Sequence, residues 1–153
     1  MAGVGNDNGS VEDRAEATRQ ALPMVKERPL LGFGAGTFYT SFLPFQSPDL
    51  KGFWNHPHND FMEIAVDTGL LGLGLLVLLC ILAVWHAWQA LRGPFDELRF
   101  AAGLACILAL TCMGIHGMVD FVLQIPANAM LLCCILATTF VTIEPSKPKI
   151  YLI

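Results

Sequence analysis

Three long apolar stretches dominate the second half of the chain. They run from about Gly69 to Trp88, from about Phe100 to Val119 and from about Ala127 to Ile143, and the third is the shortest. An α-helix needs roughly 20 apolar residues to cross about 30 Å of hydrocarbon, and each stretch is close to that length. The pattern therefore predicts three transmembrane helices, near residues 69–88, 100–119 and 127–143.

The residues before these stretches are more polar and less regular. Residues 10–28 have the composition of a helix, which we expect to be interrupted at Pro23. Residues 29–54 are rich in glycine, proline and aromatic residues, and such a stretch does not form a long regular helix. Its aromatic side chains suit anchoring at a bilayer interface or stacking on sugar rings, and anchoring is the simpler interpretation.

Lysine and arginine in the connecting segments predict the orientation of the helices, because short loops that carry these residues stay in the cytoplasm. Arg92 and Arg99 lie between the first two apolar stretches, Lys147 and Lys149 follow the third, and residues 120–128 contain neither residue type. We expect a multi-pass protein of the bacterial inner membrane. Its parts are a periplasmic loop segment at 1–65, a membrane domain at 66–145 and a cytoplasmic tail at 146–153.

Composition supports an all-α integral membrane protein. Hydrophobic residues make up 54% of the chain and charged residues 14%, whereas a typical soluble domain has about 25% charged residues. Mean hydropathy is +0.55. The net charge of −4 argues against a nucleic-acid partner, which requires a basic surface. The five cysteines lie within apolar stretches and form no CxxC pattern, so neither a zinc site nor a disulfide framework is predicted.

The start of the chain bears on its organisation. Residues 1–20 are polar and contain no apolar core of a signal peptide. A chain that begins in a polar segment and then crosses the membrane three times is expected to be the C-terminal part of a larger polytopic fold. It is then either a fragment or a truncated gene product, and we do not expect it to be active alone.

Residues 55–63, NHPHNDFME, gather polar chemistry just before the first apolar stretch. Asp60-x-x-Glu63 has the spacing of a capping box, with Asp in place of Ser or Thr. His56-x-His58-x-Asp60 is half of a metallohydrolase ligand set, and such a site needs three or four ligands. A cap does not account for His58 and Asn59, which precede the helix where free backbone N–H groups readily bind phosphate oxygens. A cap, a metal site and an enzyme site thus stay open.

A glycine pattern, GFGAGTF at residues 32–38, hints at a nucleotide-binding loop. Its spacing is GxGxG, however, whereas dinucleotide sites have GxGxxG between a strand and a helix. A tight glycine turn that positions a loop is the better interpretation.

Several short motifs follow one another along the chain. From His58 the chain reads HNDFMEIAVDTGLLG, in which nine residues separate the His-Asn pair from Gly69 and two residues separate Gly69 from Gly72. PLLGFGAGTF lies upstream at residues 29–38, with Arg14 before it, and HGMVDFVLQIPANA follows at residues 116–129. This set resembles the C-terminal half of the O-antigen ligase/polymerase family, and the His-Asn motif with its paired glycines is the most specific element.

The resemblance implies a polytopic glycosyltransferase with its active site in a periplasmic loop. Such enzymes move a glycan from undecaprenyl diphosphate to an acceptor hydroxyl. The acceptor is a lipid A–core sugar in ligases, a growing glycan chain in polymerases, or a protein in O-oligosaccharyltransferases. The implied partners are the lipid-linked donor, one of these acceptors and membrane lipid. No metal or other cofactor is implied, because the diphosphate leaving group carries the driving force.

Candidate roles follow from the resemblance and from residue chemistry. His58 is the candidate base, since imidazole titrates near neutral pH. Arg14 matches the family's loop arginine, and its planar fork suits diphosphate oxygens. Asn59 either orients His58 or caps the helix. Lys26 and Arg28 are candidates for attracting the diphosphate, or they are solvated loop charges.

His116 and Asp120 lie one turn apart near the outer end of the second predicted span. Ionisable residues in such positions are functional candidates. Either both face the His58 loop and, with Glu63, support substrate binding, or the two residues only pair with each other at a solvated helix end. Two other functions remain open. One is a non-catalytic membrane subunit that binds lipid-linked glycan, and the other is a metal-dependent membrane hydrolase.

Overall fold

The computed structural model describes residues 11–94 and 96–142. These residues form helices and loops and contain no β-strand, as the composition predicts. The helices are α1 (Val11–Glu27), α2 (Phe38–Ser41), α3 (Asp60–Arg92), α4 (Glu97–Gly117) and α5 (Pro126–Thr142). Lys147, Lys149 and the predicted cytoplasmic tail lie outside the described residues.

Two of the helices are long and apolar enough to cross a membrane. α3 has 33 residues and α4 has 21, and most of their apolar residues are exposed, as on helices that face lipid. α5 has 17 residues, which at 1.5 Å per residue is about 26 Å, slightly less than a hydrocarbon core of about 30 Å. Two of the three predicted spans are therefore supported by length, and the third stays a prediction.

α3 and α4 run antiparallel and pack closely. The start of α3 meets the end of α4, where Gly117 lies against Asp60, and Gly103 near the start of α4 lies against the carbonyl of Ala87. A Cβ at Gly103 would lie 2.9 Å from that oxygen, so glycine lets the two backbones approach. Leu132 and Leu136 of α5 then complete an apolar core with α3 and α4.

α1 lies across the start of α3 and continues through Pro23, so the predicted interruption is wrong. A proline inside a helix removes one backbone hydrogen bond. Packing outweighs that loss here, because Ala21 and Met24 on either side of Pro23 are fully buried.

The aromatic residues of the loop between α1 and α3 divide into two groups. Phe38 and Phe42 stack with their centroids 5.0 Å apart, and both are buried with Trp54 in a core that also contains Met24. These three rings face neither a bilayer nor a sugar, contrary to the expectation for this segment. Tyr39 and Phe53 remain exposed.

A kink at Gly69 divides α3 into a short polar part and a long apolar part. Gly69 has φ 71°, so the amides of Leu70 and Leu71 no longer reach the carbonyls of Val66 and Asp67 one turn earlier. The glycine turn between α1 and α2 supplies replacements for all four groups. Leu70 N–H donates to the Pro29 carbonyl (2.7 Å) and Leu71 N–H to that of Leu30, while Phe33 and Gly34 donate to Val66 and Asp67 (2.9 Å each).

The glycines of this turn are explained by that pairing. A Cβ on Gly32 would overlap the Val66 carbonyl, and one on Gly69 would overlap the backbone of Leu30. The side chain of Asp67 also accepts a hydrogen bond from the Gly36 amide at 2.6 Å. The GFGAGTF segment therefore clamps the kink of α3, which agrees with the prediction of a glycine turn that positions a loop.

Candidate functional site

The polar residues gather at one end of the helical bundle. This end contains the start of α3, the end of α4 and the connection from α4 to α5, and α1 packs over it. The HPH segment is attached to α1, because the Thr18 hydroxyl donates to the carbonyl of the buried Pro57 at 2.8 Å. His58 follows with φ 53°, an uncommon conformation for a residue other than glycine.

The His58 ring is held on several sides. Its Nδ1 lies 3.1 Å from Oδ1 of Asp120, and its side chain is only 10% exposed. The ring makes edge contacts with Trp54 and Phe121, at centroid distances of 5.9 Å and 5.0 Å. Because a hydrogen bond to one imidazole nitrogen fixes the tautomer, the contact with Asp120 leaves Nε2 as the nitrogen that can accept a proton.

Asp120 is the carboxylate of this pair. Burial by itself raises the pKa of Asp120, but hydrogen bonds from the Phe121 amide and the His58 ring, together with the positive charges of His58 and Arg14, outweigh it and hold the pKa below its usual value. Asp120 is therefore ionised at neutral pH. The sequence predicted a supporting role for Asp120 but did not identify His58 as its direct partner.

Arg14 reaches the same group from α1. It is partly buried, and its charge interacts with Asp120. The fold therefore pairs His58 with Asp120 and places Arg14 where its charge acts on Asp120.

Asn59, not Asp60, caps α3. The Asn59 side chain accepts from the Met62 amide at 3.0 Å, while its Nδ2 donates to the Met118 carbonyl at 3.0 Å. The capping box predicted from Asp60 and Glu63 is therefore wrong: the cap lies one residue earlier, and the residue three positions after it is Met62, whose side chain cannot complete a box. Of the two roles left open for Asn59, the geometry supports the cap, and the second hydrogen bond ties this cap to the segment that carries Asp120.

Asp60 instead joins α3 to the connection between α4 and α5. Its Oδ2 accepts from the Leu123 amide at 2.9 Å, and it is 1% exposed. Gly117 leaves room for this side chain, since a Cβ there would lie 3.0 Å from the same oxygen.

A second histidine–carboxylate pair lies beside the first. His56 Nδ1 is 2.8 Å from Glu63 Oε1, and the Glu63 side chain is 3% exposed. The His56 ring stacks on Phe121 at 4.4 Å, and Phe121 also touches His58. Burial lowers the pKa of His56, the nearby charge of His58 lowers it further, and Asp120 partly offsets both effects. The sequence did not reveal this pair, because the seven-residue separation corresponds to no regular periodicity across a loop and a helix start.

The predicted metal-ligand half-set is divided among different partners. His56 contacts Glu63, His58 contacts Asp120 and Asp60 accepts from Leu123. Within residues 11–94 and 96–142, no group of three His, Cys, Asp or Glu residues is arranged to hold a metal ion.

The remaining predicted residues lie outside the central group. Lys26 and Arg28 are exposed at and just beyond the end of α1, and the guanidinium of Arg28 lies 4.7 Å from the Phe33 ring. Lys26 lies twelve positions after Arg14, or about 18 Å along the helix. His116 is exposed in the last turn of α4, where it interacts electrostatically with Asp60.

Two mostly exposed apolar helices of membrane-spanning length, with a buried polar cluster at one end, indicate a helical membrane protein. Comparison with protein families adds the particular family: the model described as O-antigen ligase matches residues 1–77, about half of the chain. The chain belongs to the O-antigen ligase family. A search of curated proteins and a search of solved structures each gave no match.

Proposed function

We propose that the chain carries the catalytic site of a glycosyltransferase that moves a glycan from undecaprenyl diphosphate to an acceptor hydroxyl. The observation that carries the proposal is the His58–Asp120 pair, in a chain of the O-antigen ligase family. A buried imidazole oriented by an ionised carboxylate is the arrangement that general-base catalysis requires.

The reaction assigns each atom a role. His58 Nε2 accepts the proton of the acceptor hydroxyl as the oxygen forms a bond to the anomeric carbon of the donor. The bond from that carbon to the diphosphate oxygen breaks, and undecaprenyl diphosphate leaves with the electron pair. Asp120 stabilises the imidazolium that forms. Asn59 acts as a positioning residue, because its cap and its hydrogen bond to Met118 hold His58 and Asp120 on adjacent segments.

Arg14 is the proposed contact for the diphosphate. Its charge lies close enough to Asp120 to interact with it, and a guanidinium binds two phosphate oxygens at once. Negative charge develops on this group as it leaves, so a fixed positive charge there favours the transition state. Lys26 and Arg28 are exposed and distant along α1, and we assign them at most an attraction of the donor from solution.

The lipid part of the donor needs apolar surface next to the site. A cavity of about 430 Å³ lies between α3 and α4 and extends from Asp60 and Gly117 towards Trp85. Its walls are almost entirely apolar side chains, including Val77, Ile81 and Met113 in the membrane part. This groove begins at the polar site, which supports a donor whose lipid lies in the bilayer and whose diphosphate lies at its face.

The location is the inner membrane of a bacterium, with residues 1–65 and 118–125 on the periplasmic side. The acceptor is a lipid A–core sugar, a growing glycan or a protein hydroxyl. A non-catalytic subunit that binds lipid-linked glycan is the second candidate, favoured only by the same groove.

The test is glycan transfer in membranes that contain the protein and a lipid-linked donor. We expect His58→Ala to lower transfer by at least about 100-fold, the contribution of a general base, while membrane insertion is unchanged. His86→Ala is the matched control, because His86 lies near the other end of α3 against Phe140 and is outside the site. Wild-type transfer by His58→Ala would contradict the catalytic proposal and leave the binding subunit.

A further inference from the structure

A second cavity, of about 260 Å³, opens beside the histidine pairs. It is lined by the side chains of Tyr39, Asn55, His56, Glu63 and Gln124. Its volume equals the share of about nine water molecules in the liquid, so it is large enough for one sugar ring. None of the roles assigned above uses this cavity, apart from the general expectation that Glu63 supports substrate binding.

The polar groups of the cavity are available for a ligand. Glu63 Oε2 is buried without a hydrogen-bond partner among the described residues, although the other oxygen of that carboxyl group binds His56. The amides of Asn55 and Gln124 likewise make no hydrogen bond within residues 11–94 and 96–142, and each offers one acceptor and two donors. Burial, together with the charges of Asp67 and Asp60, raises the pKa of Glu63 to about 8, so this group is mostly a neutral carboxyl at neutral pH. A buried carboxyl oxygen without a partner is costly, so a hydroxyl of a ligand, which both donates and accepts, would stabilise it.

The lining selects among ligand classes. No lysine or arginine is present among the described residues that line the cavity, so no side chain there supplies the positive charge that a phosphate requires. A lipid chain would leave the amides and the carboxyl group unsatisfied. A hydroxyl-rich ring, which both donates and accepts hydrogen bonds and lies against an aromatic side chain such as Tyr39, satisfies every group.

The position relates the cavity to the catalytic histidine. His56 forms one wall, stacks on Phe121 at 4.4 Å, and Phe121 meets His58 at 5.0 Å. One aromatic ring therefore lies between the two imidazoles. A sugar in this cavity is adjacent to the reacting bond and not at it.

We infer that this cavity is a sugar-binding subsite that holds a monosaccharide unit next to the reacting unit of the glycan. The inference rests on the proposed transferase function and adds a specificity site to it. Glu63, Asn55 and Gln124 bind the hydroxyls of that unit, and His56 holds the Glu63 carboxyl group in place.

The experiment measures saturation-transfer NMR on the full 153-residue chain in detergent. The probes are glucose, galactose, N-acetylglucosamine and rhamnose. We expect at least one sugar to give a signal that falls about fivefold in Gln124→Ala and in Asn55→Ala, the loss expected for one hydrogen bond. Glu63→Gln tests the buried oxygen, with circular dichroism to verify its folding.

The control is Gln89→Ala, which removes the same amide from an exposed position far along α3. Its signal should equal that of the wild type. No signal from any of the four sugars, or equal signals in all variants, would overturn the subsite. A sugar signal that persists while His58→Ala retains transfer would instead overturn the catalytic proposal and leave the subsite standing.

A competition step separates the two sources of the sugar. If the cavity takes the donor, undecaprenyl-diphosphate-linked N-acetylglucosamine displaces the free sugar, and Arg14→Ala weakens that displacement. If it takes the acceptor, the signal survives saturation with the lipid-linked sugar. Either result supports the subsite and assigns its occupant.

Discussion

His58 has a backbone conformation that most residues avoid. At φ 53° it is the residue other than glycine with a positive φ in the described part of the chain. Such conformations cost of order 1–3 kcal/mol and persist only when surrounding contacts impose them. Here the contacts that impose it are the hydrogen bond from Thr18 to Pro57 on one side of His58 and the Asn59 cap on the other. The result aims the imidazole at Asp120, which favours a functional reason for the strain.

The charge of Asp120 should be insensitive to pH in the working range. Because its pKa is lower in the folded protein than in the unfolded chain, the stability it contributes is present at neutral pH. That contribution is lost only as the pH falls through the folded-state pKa, below about 3.9. A loss of activity above about pH 4 would therefore not report protonation of Asp120.

Asp120→Asn tests this pair. We expect transfer to fall by about 10- to 100-fold, because the imidazolium formed during the reaction loses its counter-charge. Asp49→Asn, at an exposed loop position, is the control and should transfer glycan at the wild-type rate. An unchanged rate in Asp120→Asn would show that the pair is not used.

At the scale of elements, the kink of α3 connects the membrane part of the chain to the site. The glycine turn replaces the two helix hydrogen bonds lost at Gly69 with four others. The two amides and two carbonyls that lost their helical partners are therefore all paired again. The clamp also fixes the direction in which the polar start of α3 leaves its apolar part. Through Asn59 and Asp60, that start then holds the segment that carries Asp120.

Gly69→Ala should open this clamp. The new Cβ would overlap the Leu30 backbone at a position with positive φ, so we expect a loss of at least about 2 kcal/mol in the free energy of unfolding. Gly74→Ala is the matched control in the same helix, where a Cβ meets nothing within 4 Å and helix propensity favours alanine by about 1 kcal/mol. Thermal unfolding in detergent measures both. Equal melting temperatures for the two variants would contradict the clamp.

At the scale of the whole molecule, the sequence predicts what depends on local patterns. Apolar runs of span length correspond to α3 and α4, and the glycine spacing at residues 32–36 correctly indicated a turn. The burial of the aromatic residues was not predicted. Burial of Phe38 and Trp54 depends on packing against α1 and not on their neighbours in sequence.

In the candidate site, too, local patterns predicted individual residues but not the contacts between distant segments. Resemblance to a family singled out Arg14 and His58, but their approach to Asp120 depends on the antiparallel return of α4, which no local pattern encodes. The cap at Asn59 was assigned to Asp60 because both residue types suit the position, and only the geometry distinguishes them. The His56–Glu63 pair, which crosses from a loop to a helix, was not predicted for the same reason.

The arrangement of helices yields a prediction for orientation. All site residues lie where α3 begins and α4 ends, so the turn between α3 and α4 must lie on the opposite side if both helices cross the membrane. A membrane-impermeant maleimide added from the periplasmic side should label Lys51→Cys, and should label Glu97→Cys and Ser146→Cys only after the inner membrane is opened. The unmodified chain, whose five cysteines lie in α3, α4 and α5, controls for native thiols. Labelling of Ser146→Cys from outside would mean that α5, with 17 residues, does not cross the membrane. Labelling of Glu97→Cys and not of Lys51→Cys from outside would mean that the orientation is reversed and that the site does not face the periplasm.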